Sequence, residues 1–182
     1  MKIICKICFL VLLLTMGARG EIEKIASVCD GGICFYWWPK LPQVRGWHQD
    51  KDGSYQYSVN ALAPDGFTFV NAEAVMYAGA TYKPRVPELK SLAIFIENDR
   101  RAFVDSRPGV SIVEVQAMTT GDGQIMRSFT FLPKSAGDWE QVSYGEEGDY
   151  YLVFTLSSHS KSSFDKAQSA YRELIGNYKA KM

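Results

Sequence analysis

The fold is decided by one stretch, VSYGEEGDYYLVFTLSSHSKSSFDKAQSAYRELIGNY, which runs from residue 142 to residue 178. Its first half contains two β-rich runs that meet at Glu146-Glu147-Gly148, and this pattern predicts an antiparallel hairpin. From 163 to 178 apolar residues recur at helical spacing, with Ser162 and Asp165 placed as a cap. The apolar positions are Phe164, Ala167, Tyr171, Leu174, Ile175 and Tyr178. The stretch therefore predicts a sheet that is covered by a helix.

The residues upstream predict more of the same elements. Strands are predicted at 110–118 and 124–132, with Gly121-Asp122-Gly123 turning the chain between them. A second amphipathic helix is predicted at about 88–105 and ends before Pro108-Gly109. We therefore expect a single α+β domain, in which an antiparallel sheet of hairpins and a meander is covered by two main helices.

Segment 47–62 predicts a further hairpin, because Asp52-Gly53 lies between two short polar and aromatic runs. The run DKDG also suggests a calcium-binding loop. In that frame the first and twelfth positions hold His48 and Val59, which supply no carboxylate. We therefore interpret the run as a turn.

This order of elements resembles the PsbP/DcrB-like α/β superfamily. The resemblance covers about residues 47–178: a hairpin, a long strand, a helix that ends in Arg-Pro-Gly, a meander and the stretch quoted above. It implies that residues 47–182 form an exported sheet-and-helix domain that acts by binding other proteins and not by catalysis. No functional residue of the PsbP proteins carries over position by position, so the resemblance transfers the architecture and the non-enzymatic expectation alone.

The first 20 residues have the pattern of a signal peptide. Lys2 and Lys6 precede ten residues, 7–16, of which only Thr15 is polar, and Ala18-Arg19-Gly20 offers small residues for cleavage. An uncleaved anchor needs about 20 apolar residues. We predict cleavage after Gly20, a periplasmic or secreted protein, and no membrane span after cleavage.

Removal of the signal peptide makes the chain slightly acidic. The full chain has 20 basic and 20 acidic residues, and Lys2, Lys6 and Arg19 leave with the signal, so 17 basic residues remain and the net charge is −3. The remaining sequence contains no cluster of Lys and Arg. We therefore expect neither nucleic acid nor an anionic membrane surface as a partner.

Two cysteines, Cys29 and Cys34, remain after cleavage, and in an oxidising compartment we expect them to form a disulfide. A structural metal site needs about four ligands, and the two cysteines can add only His48 and His159. A redox motif has two residues between its cysteines, whereas four lie here. The sequence thus predicts no metal site and no cofactor.

Segment 21–46 carries this disulfide and the aromatic run Phe35, Tyr36, Trp37 and Trp38. Side chains alternate along an extended chain, so one pair, either Phe35 with Trp37 or Tyr36 with Trp38, can bury while the other faces outward. The segment is either a lid on the core or a contact surface for a partner. Our candidate contact residues are Tyr36, Trp37, Trp38 and Trp47.

We expect a non-enzymatic binding or assembly protein of the bacterial cell envelope, whose partner is another envelope protein. One alternative is a periplasmic immunity or inhibitor protein. Another is a small serine-type hydrolase that uses His159, which lies among five serines in SSHSKSS. The sequence offers no Gly-x-Ser-x-Gly elbow and no identifiable orienting acid for His159, and we expect Glu146, Glu147 and Asp149 to face water in a turn.

Overall fold

The C-terminal hairpin lies in the middle of the sheet in the computed structural model, which describes residues 22–29, 31–134 and 137–180. The predicted signal peptide, residues 1–20, lies outside the described residues. No helix within the described ranges is both long and apolar enough to cross a membrane.

Within these ranges nine strands form one antiparallel sheet, in the order β1-β2-β5-β9-β8-β7-β6, with β4 also paired to β5 and β3 paired to β4. The strands are β1 (Ile22–Cys29), β2 (Gly32–Pro39), β3 (Trp47–Gln49), β4 (Asn60–Pro64), β5 (Ala74–Tyr82), β6 (Ser111–Thr119), β7 (Ile125–Leu132), β8 (Trp139–Glu147) and β9 (Tyr150–Ser158). Strands β8 and β9 pair from Trp139 and Ser158 to Glu147 and Tyr150, so the predicted hairpin is present.

The two long helices pack on opposite faces of this sheet. Helix α3 (Lys161–Asn177) buries Tyr171, Leu174 and Ile175 against Phe154 and Met76. Helix α2 (Leu92–Ser106) packs on the other face, where it shares a second apolar cluster with side chains of β7, β8 and β9. The members of this cluster include Phe95, Ile96, Phe129, Phe131, Tyr144 and Tyr151. The predicted α+β fold, a single antiparallel sheet covered by two main helices, is confirmed.

The bounds of both helices differ slightly from the prediction. Helix α2 begins four residues later than 88, and α3 begins at Lys161. The cap of α3 is Ser160, whose hydroxyl accepts a hydrogen bond from the Ser163 amide, and not Ser162 with Asp165. Asp165 instead pairs with Lys161 at 2.6 Å, one helical turn away.

The prediction of a tight hairpin at 47–62 is wrong about the segment that connects its two strands. Strands β3 and β4 do pair, but a short helix, α1 (Lys51–Tyr57), lies between them. Asp50 caps this helix by accepting a hydrogen bond from the Gly53 amide at 2.9 Å. Gly53 is part of the helix, where its missing side chain lets Phe69 approach: a Cβ there would lie 2.5 Å from the Cβ of Phe69.

Segment 21–46 contributes strands to this same sheet. Strands β1 and β2 form an antiparallel hairpin in which Ile22 lies opposite Pro39 and Cys29 opposite Gly32. Strand β2 then joins β5 through the pair Trp37 and Ala80. The predicted disulfide between Cys29 and Cys34 is present and closes the tip of the hairpin.

Candidate functional site

The aromatic run of β2 divides between the two faces of the sheet. Trp37 lies opposite Ala80, on the face that α3 covers farther along the sheet. Phe35 shares this face because side chains two residues apart point the same way. Trp38 points to the opposite face, is only 5% exposed, and has its ring 5.3 Å from that of Tyr55 of α1. Trp38 therefore belongs to the core and offers little surface to a partner.

Phe35 and Trp37 form the centre of what we call the aromatic–cationic face, with Tyr82, Lys24 and Arg85. Trp37 stacks on Tyr82 with 5.7 Å between ring centroids. The Lys24 ammonium lies 4.1 Å from the Phe35 centroid, and the Arg85 guanidinium 4.6 Å from the Trp37 centroid. Each cation therefore lies within the distance at which a cation attracts the face of an aromatic ring.

The two cations of this face are exposed to solvent. Neither Lys24 nor Arg85 forms an ion pair within the part of the chain that the structure describes, and both are exposed. Their neighbour Lys83 differs, since its ammonium lies 3.0 Å from the Glu146 carboxylate and donates to the Gly148 carbonyl. The face therefore presents two positive charges beside exposed aromatic carbon.

Apolar side chains extend the face towards the tip of the hairpin. Val28 and Ile33 lie opposite each other in the register and are 89% and 68% exposed. Alternation along the strands puts both on the side of Phe35 and Trp37. The disulfide lies next to this pair, so the tip is fixed covalently at the point where its apolar side chains are most exposed. Exposed apolar side chains that adjoin one another mark interaction surfaces more often than isolated ones do.

The other two candidate residues lie apart from this face. Tyr36 is half-buried and points to the side of Trp38. Trp47 packs against the cluster under α3 and lines a cleft of about 630 Å³ with Val44, Arg45 and Glu173. The structure thus brings Trp37 together with Phe35, a residue that we had not placed among the candidate contact residues. The other three candidates, Tyr36, Trp38 and Trp47, lie apart from Trp37.

His159 has an orienting acid that the sequence did not reveal. Its Nδ1 lies 2.7 Å from a carboxylate oxygen of Asp138, 21 residues earlier in the chain. No serine hydroxyl in the described ranges forms a hydrogen bond with His159, and its imidazole is exposed. The geometry therefore gives a His–Asp pair at the surface to which no serine hydroxyl is joined among the residues that the structure describes.

The carboxylates of the β8–β9 turn also differ from expectation. Glu147, which we expected to face water, is buried and accepts a hydrogen bond from the Tyr178 hydroxyl at 2.5 Å. Burial raises the pKa of the Tyr178 phenol, and the bond to Glu147 raises it further. Within the described ranges no group of three or more His, Cys, Asp or Glu residues is arranged to hold a metal ion.

Sequence reasoning missed Arg85, Lys24 and Tyr82 as members of the site. Lys24 lies opposite Trp37 in the β1–β2 register, and this register could have been derived from the six-residue cysteine loop. Arg85 follows β5 in a single turn of 3-10 helix, Lys83–Arg85, 48 residues beyond Trp37. No local pattern in the sequence links two positions so far apart.

No protein-family model matches the sequence, and no curated protein matches it significantly. Among solved structures, the chain is similar to cyanobacterial PsbP (CyanoP) from Synechocystis sp. PCC 6803, with 14% sequence identity and a TM-score of 0.41. The match covers 88% of this chain and 92% of the other.

Proposed function

We propose that this protein is an exported, non-enzymatic binding protein of the bacterial cell envelope, and that the aromatic–cationic face contacts its protein partner. The observation that carries the proposal is Arg85, an exposed guanidinium 4.6 Å from the Trp37 ring and without an ion-pair partner in the described residues. Trp, Tyr and Arg dominate the binding energy of protein interfaces, and this face combines all three.

The chemistry of the face favours an acidic protein surface as the partner. Lys24 and Arg85 both lie within reach of one contact area, since each also contacts the Phe35 ring, at 4.1 and 5.9 Å. A carboxylate of the partner can pair with the Arg85 guanidinium in a bidentate manner while the aromatic rings bury apolar carbon. The rings and cations are already in contact with one another, so they lose little conformational freedom on binding.

Export is supported by the first 20 residues and by the disulfide. A disulfide between Cys29 and Cys34 is typical of proteins that work in an oxidising compartment. The intact mass of the protein recovered from the periplasm or the medium tests export, and a product that keeps residues 1–20 contradicts it.

The absence of a catalytic role for His159 is part of the proposal. The His159–Asp138 pair lacks a nucleophile among the described residues, and a solvated imidazole with one carboxylate is an ordinary surface pair. The His159→Ala variant is expected to keep the binding activity within a few-fold of the wild type.

Photo-crosslinking tests the surface directly. Benzoylphenylalanine replaces Phe35, which is 36% exposed, and in a control strain Tyr57, which is 49% exposed and belongs to α1 on the other face. We expect a protein adduct at position 35 and none at position 57. The adduct is identified by mass spectrometry, and binding of the purified pair is then measured at low and high salt.

A charge reversal provides the matched control. Arg85→Glu is expected to abolish the adduct at position 35, whereas Arg101→Glu on the exposed side of α2 leaves it unchanged. Binding of the purified pair must weaken as salt increases, because the pairing is electrostatic at its rim. Equal adducts at both positions, an adduct that survives Arg85→Glu, or an adduct with lipid alone contradicts the proposal.

A further inference from the structure

A second site lies between the last strand of the sheet and helix α3. The cleft there has a volume of about 430 Å³ and runs along residues 115–119 of β6. Gln168, Arg172 and Ile175 of α3 form its other wall, and Gln141 of β8 lies at its base. A volume of this size is within the range that binds small organic ligands.

Two carboxamides, those of Gln141 and Gln168, line the cleft. Gln141 is only 6% exposed, and no hydrogen bond to its side chain is present within the described residues. The amide nitrogen of Gln168, buried beside it, also has no hydrogen-bond partner there. A buried amide without a partner costs about 1–3 kcal/mol. The buried Gln168 nitrogen and the Gln141 carboxamide line one cleft, so together they offer donors and acceptors to a ligand.

Arg172 supplies the charge of the cleft. Its side chain is exposed and forms no ion pair within the part of the chain that is described, although α3 also carries Glu173 and Asp165. Glu173 is engaged with the Arg45 amide at 3.1 Å, and Asp165 with Lys161. The Arg172 guanidinium therefore faces the cleft as a free donor for a planar anion, and a carboxylate fits its geometry.

The wall formed by β6 is irregular at the centre of the cleft. Its pairing with β7 shifts between Val115 and Met118, so Gln116 and Ala117 form a β-bulge. Such a bulge leaves one residue outside the ladder and frees its backbone polar groups. Strand β6 is also last in the strand order, and peptides commonly bind along such strands.

We propose that this cleft binds a peptide that ends in, or carries, a carboxylate. Arg172 holds the carboxylate, and the Gln141 and Gln168 carboxamides hydrogen-bond a neighbouring peptide group. The two carboxamides offer both donors and acceptors, which matches an amide better than it matches a simple anion. This inference does not depend on the aromatic–cationic face, which belongs to strands β1 and β2 at the other end of the sheet.

The test uses N-acetyl-Ala-Ala-Ala and its C-terminal amide, titrated into the isotope-labelled protein to millimolar concentration. We expect the free acid to shift the NMR signals of the side-chain amides of Gln141 and Gln168, and the amide form to bind at least about tenfold more weakly. Arg172→Gln is expected to produce the same loss for the free acid. Arg101→Gln, a matched change on α2, is expected to produce none.

Gln141→Met separates binding from folding. It removes the Gln141 carboxamide at similar volume, so the melting temperature is expected to change little while binding of the free acid falls by about tenfold. No shift of the cleft signals by either peptide overturns the proposal. Equal binding of both peptides rules out the carboxylate, and equally strong binding of acetate rules out a peptide.

Discussion

The hydroxyl of Tyr171 lies 2.8 Å from the carbonyl oxygen of Phe154, to which it donates a hydrogen bond from helix α3 to strand β9. The same hydroxyl is 2.9 Å from Ser143 Oγ, which in turn is 2.8 Å from Ser128 Oγ. All of these groups are fully buried. The helix is thus attached to the centre of the sheet by polar contacts inside an apolar cluster, and their removal leaves buried groups without partners.

The first prediction concerns this contact. Tyr171→Phe keeps the ring and its packing but removes the buried hydroxyl that donates to the Phe154 carbonyl, so we expect a loss of about 1 kcal/mol in the free energy of unfolding. Tyr57→Phe, at an exposed position, is the control and is expected to change stability by less than about 0.5 kcal/mol. Urea denaturation measures both, and equal small losses in the two variants contradict the prediction.

The second prediction concerns the cap of α1 and its pH dependence. Asp50 accepts hydrogen bonds from the amides of Gly53 and Phe69, and these bonds lower its pKa below 3.8. Since the folded-state pKa is lower than that of the unfolded chain, this stabilisation is present above pH 3.8 and is lost as the pH falls through the folded-state pKa.

Asp50→Asn replaces one acceptor oxygen by a donor that faces another donor. We expect this variant to be about 1–3 kcal/mol less stable than the wild type at neutral pH, with the difference shrinking below about pH 4. Asp52→Asn, in the exposed first turn of the same helix, is the control. A difference between Asp50→Asn and wild type that does not change with pH rules out this account.

Glu140 is predicted to have the opposite effect on the pH dependence of stability. Burial raises its pKa, although Arg107, whose guanidinium lies 3.0 Å away, opposes the shift. A carboxyl group whose folded-state pKa is raised binds more protons in the folded state. Its contribution to stability is therefore complete at low pH and decreases as the pH rises above 4.5 towards the folded-state pKa.

Glu140→Gln removes this titration and keeps the shape of the side chain. The stability of the variant relative to wild type is expected to increase between about pH 4 and pH 7, measured by thermal unfolding across that range. Glu88→Gln, at an exposed loop position, is expected to show no such trend. A variant that loses stability relative to wild type as the pH rises shows that the pair with Arg107 outweighs the cost of burial.

Short-range patterns predicted most of this fold, and the failures have a common cause. The hairpins β6–β7 and β8–β9 and the two long helices follow from alternation, helical periodicity and turn residues. At Asp52-Gly53 the same rules predict a turn, because glycine disfavours helices. Gly53 is nevertheless helical, and Phe69, 16 residues away, packs where a side chain at position 53 would lie. Contacts between distant segments overrode the local preference.

In the candidate site, too, local patterns were predictable from the sequence and contacts between distant segments were not. Alternation predicts that Phe35 and Trp37 share a face, but which pair is buried depends on α1, whose Tyr55 covers Trp38. Since α1 was interpreted as a turn, the sequence could not decide between the two pairs. Arg85 and Asp138 were also beyond prediction, because each meets its partner only when β5 and β8 take their places in the sheet.

The last prediction concerns the disulfide. Its six-residue loop closes one end of the β1–β2 hairpin, and neither cysteine is a member of the two apolar clusters, so we expect its loss to cost no more than the chain-entropy estimate of about 2 kcal/mol. The double variant Cys29→Ser, Cys34→Ser is expected to fold and to keep cooperative unfolding in urea. Amide hydrogen exchange is expected to increase at Val28 and Ile33, which the disulfide holds opposite each other, and to stay unchanged in α3. Uniformly faster exchange throughout the sheet, or failure of the variant to fold, shows that the hairpin supports the core and that the disulfide is more than a local constraint.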